Sequence, residues 1–150
     1  MEPSTSLALF ACGAFVLTGM LTGVWKYIWV SRSPRSEAPR YVSVAHHASL
    51  LYSFASLVMV ELLKFSAYSE TVKLIATAVP LFFFAAATST YVIHGILSDT
   101  DNQFRSPYRM GSLHFAPAAF HLGVWVLILG EIGGFGVLFV GFLQTALAGR

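Results

Sequence analysis

Four apolar runs, each long enough to cross a bilayer and parted by short polar stretches, leave this chain little choice of fold. They cover about residues 5–30, 42–65, 71–97 and 112–147. A hydrocarbon core about 30 Å thick needs about 20 apolar residues in an α-helix. In lipid every backbone N–H and C=O must be satisfied internally, and a helix does so within its own segment. Charged residues make up 11% of the chain, against about 25% in a soluble domain. The sequence therefore predicts an all-α protein, an integral membrane four-helix transmembrane bundle. Residues 1–150 form a single transmembrane domain that leaves nothing for a soluble one.

The punctuation between the runs agrees with that count. Helix one ends in an aromatic belt, Trp25, Tyr27 and Trp29, with Lys26 among them. The loop Ser31 to Arg40 holds Pro34 and Pro39, and a short link at Ser66 to Glu70 follows helix two. Pro80 predicts a kink in helix three that neighbouring helices absorb. A polar loop, Ser98 to Gly111, leads to the last run, and its acidic segment Asp99 to Gln103 reads as solvated loop. Gly133 and Gly134 interrupt that run, where a bend is expected rather than a fifth crossing because no polar turn is available. The N-terminus has no basic region, and the first run is too long for a signal peptide, so helix one is expected to be retained.

Charge reports topology here, not partners. A formal net charge of +2 gives no footing for nucleic acid. Lys26, Arg32, Arg35, Arg40, Arg105 and Arg109 lie in or beside loops one and three, against Lys64, Lys73 and Arg150 on the other side. The positive-inside rule then places the first set in the cytoplasm. Cys12 is the only cysteine, so no intrachain disulfide and no cysteine-based metal framework is available.

All five histidines fall at that same end: His46 and His47 at the start of helix two, His94 at the end of helix three, His114 and His121 at the start of helix four. Ionisable groups in a membrane are costly and mark functional sites by default, and imidazole is the commonest protein ligand for transition metals. Adjacent His46 and His47 diverge by about 100° around a helix, so one faces the interior and the other an interface. Ser49, Ser53 and Ser56 continue from His46 at helical steps, either as a packing seam or as a hydroxyl-lined pocket beside a ligand. Tyr91 and His94 share a face with Thr90, as a general acid with its partner or as interfacial anchors. On helix four, His114, Ala118, His121 and Trp125 form one stripe. His121 above the flat Trp125 suits a haem pocket, or a hydrogen bond to a neighbouring helix. Glu61 pairs with Lys64, whereas Glu131 has no local cation. The pairs Gly19/Gly23 and Gly130/Gly134 read as helix-packing faces.

Ala45-His46 at the start of helix two, Thr71-Val72-Lys73-Leu74 opening helix three, and Tyr91 late in helix three are similar to features of the styrene oxide isomerases. That family comprises small bacterial four-helix membrane proteins that bind haem b and assemble as trimers. The resemblance implies a bacterial inner-membrane location, His46 as axial haem ligand and Tyr91 at the substrate. The chain departs from the family in having Tyr52 where an Asn follows the ligand by six residues. It also lacks the family's acidic residue midway along helix three, with only Leu81 to Phe84 there. Tyr52 would stand in for the missing groups beside Tyr91. Ser49 and Ser53, with His121 and Trp125, would line the cofactor.

Three functions remain open on these residues. The first is a haem b-dependent isomerase turning a small hydrophobic epoxide into a carbonyl compound by a 1,2-hydride shift, with His46 as metal ligand. The second is a b-type cytochrome pairing His46 or His47 with His94 or His121. The third is a cofactor-free scaffold or partner subunit whose histidines are interfacial hydrogen-bonders.

Overall fold

The computed structural model describes residues 1–148, and Arg150 lies outside them. Four helices form where the apolar runs require them: α1 Pro3–Arg32, α2 Arg40–Lys64, α3 Glu70–Leu97 and α4 Pro117–Ala148. Each is long and apolar enough to span a membrane. Pro80 is accommodated within a continuous α3, and α4 runs unbroken through Gly133 and Gly134 as one crossing.

One boundary differs from the expected one. Helix four begins at Pro117, five residues later than the apolar run suggests. Proline favours the first helical turn and disfavours α geometry in the residue before it. Of the five residues upstream, Ser112 to His114 belong instead to a hairpin, β1 Arg109–Met110 paired with β2 Leu113–His114, and Phe115 and Ala116 link it to the helix. Its turn places Gly111 at φ +59°, a conformation glycine adopts without strain. His114 therefore sits in β2, off the helix-four stripe assigned to it.

Helix α1 packs chiefly on α2, and α3 bridges α2 and α4, which leaves α1 and α4 on opposite sides of the α2–α3 pair. Glycine allows the close approaches. A Cβ at Gly19 would meet Leu50 at 2.5 Å, and one at Gly134 would meet Pro80 at 2.6 Å and the Ala76 carbonyl at 2.8 Å. Both glycine pairs thus serve packing within the chain. The core collects Ala11 and Phe15 of α1, Met59 and Leu63 of α2, Phe84 of α3 and Leu138 of α4. By contrast α4 turns Leu122, Trp125, Leu129 and Ile132 outward, each more than 60% exposed. Such a face is compatible with contact to lipid.

At the end away from the histidines, charges are paired as a membrane protein requires. Lys73 is 6% exposed and bonds the carboxylates of Glu2 and Glu70, while Glu70 also accepts the Ser4 N–H at 2.6 Å. The Lys73 of the Thr71–Leu74 match thereby clasps the start of α1 to α3. The expected Glu61–Lys64 pair forms at 2.6 Å.

Candidate functional site

The histidine-bearing ends of the helices meet at one end of the bundle. There the Tyr41 hydroxyl of α2 accepts the Gln103 N–H of loop three at 2.6 Å, and Trp25 of α1 lies against Gly95 of α3.

His46 faces α1. Its Nδ1 lies 2.8 Å from the Gly19 carbonyl, which can only accept, so Nδ1 donates there and Nε2 is the ring nitrogen left for another partner. Metal-binding histidines are oriented in this way, the far nitrogen donating to a carbonyl or carboxylate. Gly23 makes room for the ring, since a Cβ there would stand 2.9 Å from His46 Cε1. His47 lies beside it with ring centroids 5.2 Å apart, exposed and 3.5 Å from Lys26 Nζ. The His46 ring is therefore oriented as a single metal-binding imidazole would be.

A second site lies across α2. A cavity of about 350 Å³ opens between α2, α3 and α4, lined by Tyr52, Thr90, Tyr91 and His94 and by Val124 and Leu127 of α4. Tyr52 stacks on Phe84 at 4.2 Å. The phenols of Tyr52 and Tyr91 stand within interaction range of each other and of Glu131. Both candidate tyrosines thus share one cavity. His46 is not among its walls, because it leaves α2 about 120° around the axis from Tyr52.

His94 lines the same cavity and is 3% exposed. Its Nδ1 donates to Asp99 Oδ1 at 2.8 Å, and its ring packs against Tyr41 at 5.0 Å. Asp99 also accepts the Gly111 N–H at 2.6 Å, and its carbonyl accepts from Arg109 at 2.5 Å. Burial alone pushes the Asp99 carboxyl up, but the Gly111 N–H and the His94 ring more than offset it and hold it below the usual carboxylate range. The acidic segment is therefore structural at Asp99 rather than merely solvated. The signal for this in the sequence is slight: an acid five residues past the last helical histidine, with Ser98 at φ 49° turning the chain back.

The other candidates stand apart from these two sites. Ser49 and Ser53 are buried, and their hydroxyls donate to the Ala45 and Leu50 carbonyls of their own helix at 2.7 and 2.6 Å. Ser56 does the same toward Tyr52 at 2.7 Å, so the seam is a packing surface within this chain. His121 is exposed and shares a 3.0 Å hydrogen bond with the Tyr108 hydroxyl. Trp125 is 61% exposed, so these two residues point away from the cavity. His114 is exposed and bonds the Ser112 carbonyl at 3.1 Å. Among the described residues no group of three histidine, cysteine or acidic side chains gathers to hold a metal.

Fold and site together define a four-helix protein of membrane-spanning composition, with one oriented imidazole and one tyrosine-bearing apolar cavity. No protein family, curated protein or solved structure matches the chain.

Proposed function

We propose that the protein is a membrane-embedded isomerase of small hydrophobic epoxides that holds haem b through His46. The observation that carries this reading is the His46 ring: Nδ1 is engaged by the Gly19 carbonyl, and Nε2 is left to bind a metal. His94 packs on Tyr41, which leaves α2 about 140° from His46, so the two are not opposed across one iron. This separation favours the isomerase over a bis-histidine cytochrome. His46 would hold the haem through Nε2, and the group would supply Lewis acidity toward an epoxide oxygen.

The chain's own residues do the rest. The cavity walls keep water from an opened epoxide, so that a 1,2-hydride shift and not hydrolysis completes the reaction. Tyr91 and Tyr52 place hydroxyls in that apolar space, where they orient the substrate and bond its oxygen. His46 and the phenols occupy different faces of α2, so the reading includes a homo-oligomer, a trimer by the resemblance. In it one subunit's His46 serves another subunit's tyrosines.

The test is the absorption spectrum of protein expressed with ample haem. A Soret band of five-coordinate ferric haem, lost in His46→Ala, is expected together with conversion of styrene oxide to phenylacetaldehyde. A colourless preparation, or a six-coordinate low-spin spectrum, overturns the reading.

A further inference from the structure

Glu131 is a half-buried residue midway along α4 that plays no part in the reading above. It lies about 21 Å along α4 from Pro117. Val124 and Leu127 line the cavity, and Glu131 follows Leu127 by one turn on the same helical face. Gly130 and Gly134 flank it and let α4 lie close against Phe83 and Pro80 of α3. Its Oε1 is buried with no hydrogen-bond partner among the described residues. The titratable groups within electrostatic range of it are Tyr52 from α2 and Tyr91 from α3, and among the described residues no cation pairs with it.

An ionised carboxylate in such a place costs several kcal/mol. A neutral carboxylic acid costs far less, and it offers one O–H donor and an acceptor oxygen. Two phenols beside it can take that hydrogen bond and pass it on, each hydroxyl donating once and accepting twice. Tyr52 and Tyr91 line the cavity, whereas Glu131 is not among its walls.

We propose that Glu131 is kept as a neutral acid one helical turn beyond the cavity wall and, through the Tyr52 and Tyr91 hydroxyls, positions a hydrogen bond on the single oxygen of a small apolar ether or carbonyl compound. Glu131 is a positioning residue, and no proton leaves it. The proposal rests on the cavity being the ligand site, as in the preceding section, but not on haem.

Infrared difference spectra of the full chain in lipid nanodiscs test it. Wild type minus Glu131→Gln should show, at neutral pH, a protonated carboxyl band that the variant lacks. Styrene oxide should shift this band, ethylbenzene, which has no oxygen, should not, and Tyr52→Phe should remove the shift. Glu131→Leu should weaken styrene oxide binding about tenfold relative to Glu131→Gln, the size of one buried hydrogen bond. Loss of only carboxylate bands in Glu131→Gln overturns the neutral acid. A band that neither probe moves, or that both move alike, overturns the positioning role. If Glu131→Gln does not insert, the same bands are assigned by labelling wild-type glutamate with carbon-13 and read again in Tyr52→Phe. None of these outcomes depends on the Soret band or on turnover, which decide the isomerase reading separately.

Discussion

At His46 a single hydrogen bond decides which ring nitrogen can bind a metal, and the room for that ring comes from Gly23. A methyl at Gly23 would stand 2.9 Å from His46 Cε1, whereas one at Gly13 of the same helix meets nothing within 4 Å. Gly23→Ala should therefore lower haem occupancy, read as the Soret-to-protein absorbance ratio, while Gly13→Ala leaves it unchanged. Asp99 makes a second prediction at this scale. Its folded carboxyl titrates below the ordinary value, so its contribution to stability is complete above the ordinary aspartate pKa of about 3.9. It fades as pH falls through the lower folded value, because the protonated acid no longer accepts from Gly111 and His94 with full strength. Asp99→Asn should remove that acid-dependent step and cost about 1–3 kcal/mol at neutral pH. Amide exchange at Gly111 with decreasing pH is the measurement.

Among the helices, the contact of α3 with α4 is the most rigidly specified. A Cβ at Gly134 would press on the Pro80 ring and on the Ala76 carbonyl, backbone that cannot rotate away, while Gly133 next to it faces open space. Overpacking of this kind costs about 1–3 kcal/mol. Gly134→Ala should lower the thermal unfolding midpoint in detergent and Gly133→Ala should not. The element boundaries show how far local patterning reaches. Apolar length located all four helices, because lipid requires it of any spanning segment. It overran the start of α4, since Ser112 to Ala116 read as a continuation of the apolar run, and the Pro117 boundary with the Gly111 turn prevailed. The serine seam was legible as a packing face or a pocket wall, but the choice depended on what lay opposite α2. The hydroxyls turn back on their own helix.

For the whole molecule, the separation of His46 from the tyrosine cavity has a direct consequence. If subunits share the site as proposed, His46→Ala and Tyr91→Phe chains are each inactive alone. Coexpressed, they should regain a measurable fraction of styrene oxide isomerisation, because some interfaces combine an intact His46 with an intact Tyr91. No regained activity in mixed oligomers, verified by two distinct tags, would show that each chain works alone.

Length and hydropathy determined four helices of membrane-spanning composition and the gathering of the histidines at one end, because these are one-dimensional properties that a bilayer reads segment by segment. The tertiary structure decided which groups meet. Helical spacing could not reveal that Asp99 turns back onto His94, that Gly19 supplies the carbonyl for His46, or that Glu131 of α4 comes within electrostatic range of Tyr52 and Tyr91. Those encounters depend on how far each helix is rotated about its axis and how closely its glycines allow a neighbour to approach. Both are properties of pairs of helices, set by packing between segments distant in the chain.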